Sequence, residues 1–66
     1  SRGGPEAIRR ILQKSTTSEG IITVELLSRE LLKEGYEEPT AEQVIGSAEV
    51  EGILIRKAPN LWAWLQ

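Results

Sequence analysis

Apolar residues recur three and four positions apart in three stretches of the chain, the spacing that places side chains on one face of an α-helix. These stretches predict helices at about residues 5–14, 24–34 and 41–51. The second helix has the broadest apolar face, a row of three residues widened by two leucines. The face consists of Val24, Leu26, Leu27, Leu31 and Leu32.

Capping residues mark where the second and third helices begin and end. The hydroxyls of Thr23 and Thr40 can accept hydrogen bonds from the first free N–H groups, and Gln43 stands at the capping-box spacing from Thr40. Gly35 and Gly52 follow the two helices at a position where glycine commonly ends a helix. Both helices are therefore predicted to have sharp boundaries.

Strand-like segments occupy the rest of the chain. The β-branched pair 21–22 predicts a short strand, and residues 53–56 and 61–65 predict two longer strands. The turn between the longer strands contains Pro59 and Asn60, which favour turns. In one small domain, the order helix, strand, helix, helix, strand, turn, strand predicts an α+β winged helix. Such a fold has a three-helix, helix-turn-helix core and a C-terminal β-hairpin wing.

Two tryptophans lie on one face of the last predicted strand. Trp62 and Trp64 are the largest apolar side chains, and the chain has no Phe or Met, so at least one is expected in the core. Four other residues of the hairpin also require burial, namely Ile53, Ile55, Leu61 and Leu65. The alternatives left open are two buried indoles, or one that stays partly exposed beside Pro59 and anchors a partner.

Composition excludes whole classes of function. The 66 residues contain no Cys, His or Asp, so the usual zinc ligands, the histidine base and the thiol nucleophile are missing. The missing Asp also excludes a calcium loop. Close glutamates such as Glu49 and Glu51 do not form a catalytic pair, because residues two apart on a helix point in different directions. The sequence predicts a protein that is not an enzyme and uses no metal, cofactor or small-molecule substrate.

Charge is distributed unevenly along the chain, whose net charge is −2. Residues 1–14 carry four cations and one glutamate, residues 15–52 two cations and nine glutamates, and residues 53–66 two cations and no acid. The third helix would be the DNA-reading helix of a helix-turn-helix fold, yet no Lys or Arg lies between Lys33 and Arg56. Because neutralised phosphates supply most non-specific affinity, this helix is predicted to read DNA poorly.

The C-terminal segment resembles the end of many winged-helix domains. Glu51 and Gly52 precede an aliphatic strand, a wing that contains Pro59 and then the aromatic Trp62. Over residues 5–65 the chain resembles the small C-terminal winged-helix domains of replication proteins, namely the archaeal minichromosome maintenance helicase and the middle subunit of replication protein A. The resemblance implies a regulatory or protein-docking domain of a larger machine of DNA replication, with weak or no DNA binding of its own.

The wing also resembles that of Z-form nucleic-acid-binding domains, through the spacing of Pro59 and Trp62. Those domains carry an Asn and, four residues later, a Tyr on their recognition helix. The matching positions here are Glu42 and Gly46, and a glutamate repels phosphate. These departures count against recognition of Z-form nucleic acid.

Two groups of residues are candidate binding surfaces. The acidic third helix would suit a basic protein partner. Such a partner would contact Glu42, Gln43, Gly46, Ser47, Glu49, Pro59 and Trp62. Weak contact with DNA would use the cations of the first helix and the wing, namely Arg9, Arg10, Lys14, Arg56 and Lys57. The leading hypothesis is protein docking, and the alternative is a DNA-binding domain of the transcription-regulator type. Ordinary solvated charge is the simpler interpretation of either surface.

Gly46 lies inside the third predicted helix, where glycine costs roughly 1 kcal/mol relative to alanine. Close approach by another chain or helix would explain it, and so would a tolerant surface position.

Residues 1–4 are predicted to be a flexible linker or a cloning remnant, and residues 5–66 one domain. No apolar run approaches the roughly 20 residues that cross a membrane, and the N-terminus lacks the apolar core of a secretory signal. The expected location is therefore intracellular, in the cytoplasm or the nucleus.

Overall fold

The structure is a computed structural model that describes residues 4–65, apart from the side chain of Pro5. Three helices and three strands follow one another as α1 (Pro5–Lys14), β1 (Ile21–Ile22), α2 (Val24–Lys33), α3 (Ala41–Val50), β2 (Leu54–Ala58) and β3 (Leu61–Trp64). The order is compatible with a winged-helix layout. Of the predicted linker 1–4, only Gly4 belongs to the described residues.

The predicted helix boundaries are confirmed to within one residue, because the capping groups form the expected bonds. Thr23 Oγ1 accepts the backbone N–H of Leu26 at 3.2 Å. Thr40 Oγ1 accepts the N–H of Gln43 at 3.2 Å, and the Gln43 side chain accepts the N–H of Thr40 at 2.9 Å. This reciprocal pair is a complete capping box.

Helices α2 and α3 end in the same way, each with a glycine in the left-handed region. Gly35 has φ 87° and Gly52 has φ 79°. The next residue then donates back into the helix: Tyr36 N–H to the Leu31 carbonyl, and Ile53 N–H to the Ala48 carbonyl. These Schellman ends turn Tyr36 and Ile53 toward the core, against which both pack.

The sheet has the strand order β1-β3-β2 and is antiparallel throughout. The hairpin differs from its prediction: β2 starts one residue later and runs to Ala58, β3 ends at Trp64, and the turn shrinks to Pro59 and Asn60. Trp62 pairs with Ile22 on one side and with Arg56 on the other. Because Ile22 is fully buried, this row belongs to the sheet face that packs on the helices.

The core forms where the helices meet that face of the sheet. Its members are Ile11, Leu12, Ile22, Leu27, Leu31, Ala41, Val44, Ile45, Ala48 and Leu54. Both tryptophans are partly buried and pack against this core.

Three predictions of burial are wrong. Leu32 is 71% exposed, because the neighbouring helices pack against the Leu27 and Leu31 side of α2. Ile55 is 42% exposed and Leu65 is 50% exposed. Ile55 lies in a row with Ile21 and Ala63, on the sheet face opposite the one that carries the buried Ile22. Alternation along a strand identifies its two faces, but it does not say whether both are covered.

Candidate docking surface around helix α3

Helix α3 turns one narrow face to the core and leaves a broad face to solvent. Ala41, Val44, Ile45 and Ala48 are buried. On the other side, Glu42, Gln43, Ser47 and Glu49 are exposed and Gly46 is partly buried, so the five predicted docking residues of this helix share one accessible surface. Val50 lies on the same surface and is 89% exposed. Val50 is not among the protein contacts predicted from the sequence.

The acidic edge of α3 is joined to the hairpin. The indole N–H of Trp62 donates to Glu49 Oε2 at 3.0 Å. The Arg56 guanidinium lies 5.9 Å from the centroid of the Trp62 ring, within the range of a cation–π contact. The Trp62 indole therefore bonds to a carboxylate through its N–H and contacts a cation through its ring. The two halves of the predicted protein-binding surface meet at this tryptophan.

The candidate DNA-binding cations have different neighbours. The Lys14 ammonium lies 3.4 Å from a Glu34 carboxylate oxygen. Arg9 lines a groove beside α3, whereas Arg56 lies over Trp62 on the sheet. No described residue of α3 is a cation. Positive charge therefore flanks α3 but does not lie on its exposed face.

A groove lies between α1 and α3, which we call the α1–α3 groove. It has a volume of about 980 Å³ and is open to solvent. Its lining is mostly apolar: Ile8, Leu12, Pro39, Val44, Gly46, Ala48, Val50 and Ile53, together with Arg9, Gln43, Ser47 and Glu51. Three predicted protein contacts (Gln43, Gly46 and Ser47) thus line a hollow that neither the helical spacing nor the charge pattern indicated.

Gly46 faces open space within this chain. A Cβ atom built at this position meets no other atom within 4 Å, so no neighbouring element of the described structure requires the glycine. Close approach by another described helix therefore does not explain Gly46, whereas close approach by another chain and a tolerant surface position both stay predictions.

The hairpin turn is fastened to the start of α2 by one side chain. Asn60, in the left-handed region at φ 60°, accepts the N–H of Val24 through Oδ1 at 3.0 Å. Its Nδ2 donates to Glu25 Oε1 at 2.8 Å. The turn therefore caps a helix that lies 36 residues earlier in the chain. No local sequence signal indicates this contact, because the pattern around Asn60 indicates only a turn.

The hydrogen bond from Asn60, followed by backbone and Thr23 hydrogen bonds, lowers the pKa of the Glu25 carboxyl below its ordinary value of 4.5. The charged form is therefore favoured in the folded state. Its contribution to stability is complete above about pH 4.5 and is lost as the pH falls through the lowered pKa.

We expect Asn60→Gly to return the pKa of Glu25 toward its ordinary value, since glycine keeps the left-handed turn and removes both side-chain bonds. An NMR titration of the glutamate side chains measures this pKa directly. An unchanged Glu25 pKa in Asn60→Gly would contradict the assignment.

None of the described helices is long and apolar enough to cross a membrane. Comparison of the chain with protein-family models, curated proteins and solved structures gives no significant match. The case for a function therefore depends on the geometry of α3 and its surroundings.

Proposed function

We propose that this domain is a winged-helix protein-docking module of a larger nucleic-acid-processing protein of the replication type, and that it binds DNA weakly or not at all. One observation carries the proposal. The exposed face of α3, which would enter the major groove in a helix-turn-helix protein, offers glutamates and neutral groups and no cation.

The electrostatics of this face oppose DNA more firmly than the sequence count suggests. Glu49 is held in place by its bond to Trp62, so its negative charge stays at the junction of α3 and the hairpin. Glu42 lies seven residues, or two helical turns, earlier on the same edge. Arg56, the cation beside this edge, lies over the Trp62 ring. A phosphate that approached α3 here would meet two carboxylates before it met a cation.

The same face has the composition of a protein contact. Val50 is almost fully exposed, with Gly46 and Ser47 one helical turn before it and the exposed Glu49 and Glu51 on either side in sequence. Trp62 is a partly buried aromatic residue beside this face, and residues of that kind often carry much of the binding energy of an interface. An apolar centre with a polar rim is typical of protein interfaces.

Fluorescence anisotropy of a labelled short DNA duplex tests the proposal. We expect weak binding at low salt that disappears at about 0.15 M salt, where screening is effective over roughly 8 Å. Tight binding that survives at this salt concentration would contradict the proposal.

Any residual binding at low salt can be assigned with matched variants. Arg9→Ala/Arg10→Ala removes two candidate cations of α1, and Arg29→Ala/Lys33→Ala removes the same charge from α2. Equal losses indicate non-specific attraction. A selective and large loss in the α1 variant favours the alternative DNA-binding function.

A further inference from the structure

The α1–α3 groove adjoins a second, smaller hollow. A second hollow of about 370 Å³ lies beside it, and the two share Ile8 and Pro39 in their walls. The second hollow is bounded by Tyr36, Glu37 and Glu38 from the connection between α2 and α3. The two hollows are therefore adjacent, and together they extend from Glu51 after α3 to Glu37 and Glu38 before it, a surface that we call the extended groove.

The floor of the extended groove is aliphatic. Ile8 and Leu12 of α1, Val44 of α3 and Ile53 beside β2 line it, and Leu12 and Val44 are buried. Val50, which is 89% exposed, lies at the edge of the groove, and Gly46 adds no side chain to that edge. An exposed aliphatic residue beside an apolar hollow is the arrangement that an apolar partner covers.

Charge distinguishes the ends of the extended groove from its floor. Glu51 lies at the end near the sheet, and Glu37 and Glu38 lie at the other end. None of these glutamates forms an ion pair with a described residue. Arg9 is the one cation among the described residues that line the two hollows. The extended groove is therefore apolar in the middle and acidic at both ends.

We infer that the extended groove binds an amphipathic segment of another protein, one whose aliphatic row is flanked at both ends by Lys or Arg. This inference rests on the proposed docking function and gives the partner its chemistry. The aliphatic row covers Val44 and Val50, and the cations meet Glu51 at one end and the Glu37–Glu38 pair at the other. A second copy of the chain fits less well, because a two-fold contact would place the acidic ends of one extended groove against those of the other.

Two synthetic peptides test the inference against an isotopically labelled sample of the whole chain. Both carry leucines at helical spacing, and one has lysines at each end where the other has glutamates. We expect the lysine peptide to shift the amide resonances of Leu12, Val44, Gly46 and Val50, and to bind more weakly as salt is added. We expect the glutamate peptide to bind at least tenfold more weakly. Equal binding of both peptides, or shifts away from the extended groove, would overturn the inference.

Matched variants locate the binding. Glu37→Lys/Glu38→Lys should weaken the lysine peptide about tenfold, whereas Glu19→Lys/Glu30→Lys, an equal change of charge outside both the extended groove and the predicted docking residues, should change it less than threefold. Val50→Ser should weaken it severalfold, and Leu32→Ser, at an exposed apolar residue of another helix, should have no effect. Circular dichroism confirms that each variant is folded.

The possible failures can be told apart. If Glu42→Lys weakens the peptide and Glu37→Lys/Glu38→Lys does not, the extended groove is the wrong site, but docking on α3 stands. If neither peptide binds, the inference fails, and the anisotropy titration with DNA then decides the proposed function separately.

Discussion

Replacing Leu27 with alanine is expected to lower the free energy of unfolding by about 2–5 kcal/mol. Leu27 is fully buried at the centre of the core, so the shorter side chain leaves a cavity among residues from all three helices and the sheet. A domain of 66 residues has a total stability of only about 3–10 kcal/mol. The variant should therefore be close to unfolding at room temperature. Urea titration followed by tryptophan fluorescence measures the change.

Leu32→Ala is the matched control, because it makes the same substitution on the same helix. Leu32 is 71% exposed, and the alanine should change stability by no more than about 0.5 kcal/mol. Comparable losses from the two variants would mean that the apolar face of α2 has been assigned to the wrong side. A large loss at Leu32 alone would mean that another part of the protein covers it.

Thr16→Val is expected to cost about 1–3 kcal/mol through a different mechanism. The indole N–H of Trp64 donates to Thr16 Oγ1 at 2.7 Å, and the same hydroxyl donates to the Leu12 carbonyl at 2.7 Å. Valine keeps the shape of threonine but leaves the partly buried indole donor without its acceptor. Ser18→Ala, in the same loop and exposed, is the control and should be neutral.

A double-mutant cycle separates this bond from the packing of the ring. Trp64→Phe removes the donor, so Thr16→Val should cost clearly less in that background than in the natural sequence. Urea titrations of the four proteins give the coupling free energy between Thr16 and Trp64. Full additivity of the two substitutions would show that the hydrogen bond contributes nothing to stability.

The helices were predictable because their signals are local. Thr23, Thr40 and Gln43 act within three residues of their own positions, and Gly35 and Gly52 act at the end of the preceding helix. Each of these signals is complete within one turn of the chain. The sequence therefore indicated the boundaries and the order of the elements, which are compatible with the predicted winged-helix layout.

The exposed apolar residues were not predictable in the same way. Leu32 and Leu31 are neighbours in sequence and chemically identical, and only the position of α1 and α3 decides that one is buried and the other exposed. Ile55 likewise looks like a core residue until the sheet shows which of its faces packs on the helices. Burial is a property of the assembled elements, and a single sequence gives only the candidates.

The candidate site combines both kinds of information. The charge pattern predicted that α3 would read DNA poorly, which stays a prediction, and the structure shows that Glu42 and Glu49 are exposed. The bond between Glu49 and Trp62 joins residues on different elements, and the fastening of Asn60 to α2 spans 36 residues. Neither of these two contacts can be inferred from the periodic spacing of apolar residues. The extended groove is similarly invisible, because it is a space between elements and no motif encodes it.

Amide-shift mapping of the labelled chain, first with a short DNA duplex at low salt and then with the lysine peptide, tests the central claim most directly. If α3 binds proteins and not DNA, the duplex leaves the amide resonances of Gly46, Ser47 and Val50 unshifted, and the peptide shifts them in a saturable way. The opposite result contradicts the claim: saturable shifts of these three residues by the duplex that persist at about 0.15 M salt, with none from the peptide.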